Sequence, residues 1–148
     1  MADIIMLAEP AKVDVTPGPQ TTHFFSTTEF FTQEDLIKSH DNVLWQAFHT
    51  HGKYQKIVRH ADWFCVAVDT NNNYLASAFV VELGSKWLIE YVMADPTSQN
   101  KGAGSSVMAR IMQEAKERTI DFAILNCDSQ KDSGKLPAFY NKFGFRQA

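Results

Sequence analysis

The stretch Gln99-Asn100-Lys101-Gly102-Ala103-Gly104 combines a cation with two glycines one residue apart, directly ahead of a helical pattern. A turn of this kind between a strand and a helix brings consecutive backbone N–H groups and the positive end of the helix dipole to an anion. Glycine is needed where backbone must approach that anion closely. A plain strand-to-helix turn uses the same residues, so the glycines alone do not name a ligand. Two other phosphate motifs are weakened. The dinucleotide fingerprint needs a third glycine where Val107 stands, and a P-loop needs Gly-Lys-Ser/Thr, which the chain lacks. What is left is Gln-x-x-Gly-x-Gly behind Pro96 and a strand-like run. Lys101 offers a side-chain charge to phosphate oxygens, and Ser105 or Ser106 a hydroxyl at the helix start.

A second spaced signature follows near the end of the chain. Ala138-Phe139-Tyr140-Asn141-Lys142-Phe143-Gly144-Phe145 reads as a helix that carries a tyrosine and closes on Gly-Phe. Together the two signatures resemble those of the GNAT superfamily of N-acetyltransferases, and with the strand order the resemblance spans roughly residues 22–145. In that family the first signature holds the diphosphate of acetyl-CoA on backbone amides. The resemblance therefore implies binding through Gln99, Asn100, Lys101, Gly102, Ala103, Gly104 and Ser105. It also implies a splayed strand over Trp87–Ala94, whose free amides pair with the pantetheine arm and the thioester carbonyl. Val92 would donate to the carbonyl and Ala94 to the arm, with Met93 between them. Ordinary sheet pairing is the alternative. Asn126 and Ser133 stand near the pantetheine path, but relatives commonly carry asparagine where this chain has Ser133, and Ser133 is equally suited to cap the last helix.

Direct acetylation of an amine needs a deprotonated nucleophile, a polarised carbonyl, a proton for the departing thiolate and enforced proximity. Tyr140 matches the tyrosine that similar enzymes place beside the thioester sulfur. The other role open to it is packing, with Leu136 and Phe143 at helical spacing. Glu90, two residues before Val92, is expected on the same face of its strand, where a carboxylate can take a proton from the ammonium directly or through one water. A solvated or paired glutamate is the alternative.

These residues need elements to hold them. Residues 1–21, with Pro10, Pro17, Gly18 and Pro19, read as an N-terminal arm, flexible or packed on a neighbour, ahead of a domain over 22–148. Thr22–Thr27 is β-prone, and Thr32 with Glu34 and Asp35 opens a helical region that breaks near Asp41 and runs to His51-Gly52. Trp63–Val68, Tyr74–Leu83 and Trp87–Ala94 form an antiparallel meander, joined by the turn Asp69–Asn73 and by Gly84-Ser85-Lys86. Val107, Met108, Ile111, Met112 and Ala115 set a helical face over Gly104–Arg118. Phe122–Asn126 is a strand, and Lys135–Phe143 a helix capped by Gly144. The fold class is α/β (α+β), with a mixed, mainly antiparallel sheet flanked by helices and one right-handed crossover.

Composition fits one globular domain: 148 residues, 45% apolar and 21% charged, net charge -3. Residues 1–74 hold five Lys/Arg against nine Asp/Glu and residues 75–148 nine against eight, so the second half suits an anion better. No polybasic tract with interleaved aromatics supports nucleic-acid binding. Cys65 and Cys127 lack metal spacing, and His49-Thr50-His51 has the wrong spacing for shared ligation on a helix, so no metal is expected. The Ile4–Ala8 run is too short for a signal segment and nothing else suits a membrane, so a cytoplasmic protein is expected. Relatives usually add a strand beyond Gly-Phe. Its absence here predicts a sheet completed by a second protomer, as a homodimer, or by the N-terminal arm. The reading is an acetyl-CoA-dependent N-acetyltransferase acting on a small-molecule amine or a protein lysine or N-terminus. The alternatives are a noncatalytic acyl-CoA-binding module and a nucleotide-binding signalling domain.

Overall fold

The computed structural model describes residues 3–30, 32–36, 38, 60–95, 102–130 and 134–148. Seven strands form one sheet: β1 (Asp3–Ala8), β2 (Thr21–Ser26), β3 (Trp63–Val68), β4 (Tyr74–Leu83), β5 (Lys86–Ala94), β6 (Phe122–Asp128) and β7 (Arg146–Gln147). Their spatial order is β2-β3-β4-β5-β6-β1-β7. Only β5 and β6 run parallel, and the helix between them, α2 (Ala103–Glu117), makes the crossover. Among the described residues, further helices with complete bounds are the 3-10 turn Pro10–Lys12, α1 (Thr27–Phe30) and α3 (Leu136–Asn141). The helical region expected between Thr32 and Gly52 is seen at Glu34–Leu36 and Lys38, and the rest from residue 39 onward lies outside the described residues.

Alternation sorts the core onto two faces, since successive strand residues point to opposite sides of a sheet. On β3, Cys65 and Ala67 pack with the buried side of α2, while Phe64, Val66 and Val68 pack with Phe30, Leu36 and Phe79. Val107, Met108, Ile111 and Met112 of α2 are buried as their spacing predicts. The turn at Asp69–Asn73 places Asn72 in left-handed backbone (φ 63°), with Asp69 Oδ1 accepting from the N–H groups of Asn71 and Asn73.

Two expectations about the chain ends are corrected. Residues 3–8 are not an arm: β1 lies inside the sheet, antiparallel to β6 from Asp3↔Asp128 to Ala8↔Ala123, with Met6 and Ala8 buried. An apolar run too short to span a membrane is long enough for a strand, and docking hides its apolar face. Nor does the chain lack a strand after Gly144-Phe145, because β7 pairs with β1 at Met6↔Gln147 and Leu7↔Arg146. Of the two completions expected from the sequence, a second protomer or the N-terminal segment, the second is seen within the chain as β1 beside β6.

Candidate active site

Beyond Ile89↔Leu125 the β5–β6 ladder stops, although both strands continue to Ala94 and Asp128. Among the described residues β5 and β6 form no ladder pair beyond that point, and a cleft of about 340 Å³ opens between the strands. Glu90, Tyr91 and Val92 of β5, Asn126 and Cys127 of β6, and Tyr140 of α3 line it. The separation has a local cause. Ser77 pairs with Met93 and Phe79 with Glu90, so Ala78 alone opposes both Tyr91 and Val92. Tyr91 accommodates the extra residue in left-handed backbone (φ 52°), a β-bulge that bends the strand.

That bulge overturns one sequence expectation. Ile89 and Val92 pack into the same α2-side core although they are three residues apart, while Tyr91 packs against the other core. Alternation is reset by one at the left-handed residue, so Glu90 and Val92 line the same cleft from opposite faces of the strand. Met93 is buried in the core of Phe30, Phe64 and Phe79, and Ala94 pairs with Ala76.

Tyr140 is buried at 6% exposure, with ring contacts to Phe139 and Phe145. Loss of hydration raises its phenol well above the ordinary tyrosine range, and the neighbouring Cys127 adds to the shift. The Cys127 thiol is raised as well, by burial first and then by Asp128 and Asp3.

The second part of the site is the start of α2. Gly102 precedes it in left-handed backbone (φ 71°) with no side-chain cap. The first intrahelical bond runs from Ser106 N–H to the Gly102 carbonyl at 3.0 Å. The N–H groups of Ala103, Gly104 and Ser105 thus have no helix carbonyl to receive them and point along the positive end of the dipole. Ser105 is half-buried there. The Ser106 hydroxyl is not available to a phosphate: Ser106 is 1% exposed, and its Oγ donates to the Gly102 carbonyl and accepts from Gln20 N–H. Gln99, Asn100, Lys101 and Ser133 lie outside the described residues.

Phe139 joins the two parts. A Cβ at Gly104 would sit 3.6 Å from its ring, and its centroid is 5.1 Å from that of Tyr140. The helix that carries the tyrosine therefore packs on Gly104 at the start of α2. Sequence reasoning missed Tyr91, Cys127 and Phe139 as site residues. Phe139 lay within the second signature and Cys127 within the β6 run, but nothing in residue type marks Tyr91. Among the described residues no group of three His, Cys, Asp or Glu is placed to hold a metal ion, and no helix is long and apolar enough to cross a membrane.

Residues 22–145 match the acetyltransferase (GNAT) family model. No curated protein matches the chain. Among solved structures, the GCN5-related N-acetyltransferase from Sphaerobacter thermophilus is similar at TM-score 0.65 and 12% identity, over 99% of this chain and 48% of that one. An acetyltransferase of the GNAT family from Staphylococcus aureus is similar at TM-score 0.63 and 17% identity, over 85% of both chains. An aminoglycoside acetyltransferase from an uncultured soil metagenomic sample is similar at TM-score 0.66 and 12% identity, over 88% of this chain and 93% of that one. Several similar structures are longer than this chain, which spans between 20% and 60% of four of them.

Proposed function

The chain belongs to the acetyltransferase (GNAT) family, and from that premise we propose that it moves acetyl from acetyl-CoA to a primary amine by direct attack. The observation that carries this reading is the opening of β5 from β6 after Ile89↔Leu125, with Tyr140 in the gap and the bare start of α2 beside it. A diphosphate on the N–H groups of Ala103, Gly104 and Ser105 leaves the pantetheine arm to run into the cleft, where the backbone of β5 at Val92, beyond the end of its ladder with β6, supplies a partner. Val92 N–H polarises the thioester carbonyl, so side-chain changes there test packing rather than chemistry. Glu90 accepts the proton of the incoming ammonium, directly or through one water. As the new C–N bond forms and the C–S bond breaks, Tyr140 gives its proton to the thiolate.

Direct transfer is favoured over an acyl-enzyme because the cysteine in the cleft is unsuited to attack. The nucleophile would be a thiolate, and burial of Cys127 favours the thiol. The acceptor is an amine on a small molecule or on a protein lysine or N-terminus.

Thermal melting with CoA, acetyl-CoA, NAD and ATP tests the reading. A ligand at about 100 times its Kd adds about 2.7 kcal/mol to a native state that alone binds it, roughly 5–10 °C for a domain of this size. CoA and acetyl-CoA should give that rise. A larger rise with NAD or ATP, or none with CoA, contradicts the proposal.

A further inference from the structure

The segment between β1 and β2, residues 9–20, crosses α2 from its last turn to its first. Lys116 Nζ near the C-terminal end donates to the Val13 carbonyl at 3.2 Å and to Asp14 Oδ1 at 3.4 Å. At the other end Gln20 N–H donates to Ser106 Oγ at 3.0 Å, and that hydroxyl in turn donates to the Gly102 carbonyl at 3.0 Å. This relay ties the connector to the glycine that opens the helix.

At the crossing Gly18 packs against the backbone of Ser106, and the Pro19 ring packs against Gly102. A Cβ on Gly18 would come within 2.6 Å of Ser106 Cα and 2.8 Å of Ser106 N. A Cβ on Gly102 would come within 2.7 Å of Pro19 Cγ. Both glycines are thus required by the same close approach, and Gly102 is also held at φ 71°. The left-handed turn at Gly102 sets the direction in which the amides of Ala103, Gly104 and Ser105 face.

We propose that Gly18, Pro19 and Ser106 are positioning residues of the diphosphate seat: the N-terminal connector clamps Gly102 in its left-handed turn and so aims the open amides of α2 at the ligand. This rests on the functional reading above. Pro19 lies against Gly102, and Ser106 locks the same residue through its carbonyl, so the clamp acts on the seat without touching the cleft.

The test compares CoA with pantetheine, which keeps the arm and lacks every phosphate, by calorimetric titration of the unaltered chain, Gly18→Ala and Ser106→Ala. Gly18→Ala forces the connector off the helix. Ser106→Ala removes only the relay, and it decides the matter if Gly18→Ala does not fold. The expected result is a loss of CoA affinity of about tenfold or more, with pantetheine affinity unchanged, because only the phosphate-bearing half feels the seat. CoA affinity unchanged, or CoA and pantetheine weakened in the same proportion, overturns the clamp and leaves the functional reading standing. No CoA binding by the unaltered chain instead sinks the functional reading, and the clamp with it.

Discussion

A phenol that is to protonate a departing thiolate must still hold its proton when the thioester breaks, and must stand close to the sulfur without being washed by solvent. Burial of Tyr140 meets both demands: it pushes the phenol above its ordinary range, so the proton is present throughout neutral and mildly alkaline conditions. Tyr140→Phe keeps the ring that packs between Phe139 and Phe145 and removes only the acid. The turnover number for acetyl transfer should fall about 10²-fold, with CoA affinity within about twofold of the unaltered chain. Unchanged turnover would mean that water supplies the proton. Tyr140 was legible in the sequence because its spacing from Gly144-Phe145 is part of a recognisable pattern. The Glu90–Val92 relation was not, since one left-handed residue inverts strand parity. Tyr91 is neither Gly nor Asn, the types that announce such a conformation.

At the scale of elements, α2 does two jobs with different residues. Its apolar stripe, including Ile111 and Met112, is buried under the sheet, and its first turn leaves three amides with no helix carbonyl to receive them. The two jobs separate in Ser105→Asp. A carboxylate in the first turn interacts favourably with the helix dipole by about 0.3–1 kcal/mol, so the ligand-free protein should melt roughly 1–3 °C higher. The same charge repels a diphosphate, and CoA affinity should drop about tenfold or more, a change of ~1.4 kcal/mol. Melting curves with and without CoA read both effects, and a variant that still shows the full CoA-induced rise would place the anion elsewhere. Helix α2 and the meander β3–β5 were legible because their periodicities are local, and Gly84 (φ 64°) sits where a two-residue hairpin needs it. Strand β1 was not legible as part of the sheet. Its partner β6 lies near the other end of the chain, and no window of sequence records a pairing at that distance. The glycine and prolines at 17–19, read as the punctuation of an arm, mark a close approach to α2 instead.

For the molecule as a whole, the consequence is a sheet whose cleft-side half is backed by residues 3–8. β1 backs β6, β6 forms one wall of the cleft, and the connector that leaves β1 reaches the start of α2. Loss of β1 would therefore uncover the long edge of β6 and slacken the connector at the same time. Met6 is the residue that tests this, since it is 1% exposed, pairs with Leu125 and stands between Ile4 and Ala8 at the centre of the core-facing side of β1. Truncating a buried methionine costs about 2–5 kcal/mol, through lost transfer energy and the cavity left behind. Met6→Ala should lower the melting temperature by roughly 5–15 °C in a domain of this length. It should also raise the tendency to self-associate, because a frayed β1 leaves β6 as an unpaired edge. Scanning calorimetry and light scattering measure both, and Ile5→Ala is the control: Ile5 neighbours Met6 on the same strand but is 56% exposed, so its truncation should shift melting far less. A Met6→Ala protein that melts with the unaltered chain, or an Ile5→Ala protein that loses as much, would show that these residues do not close the sheet by docking their buried face.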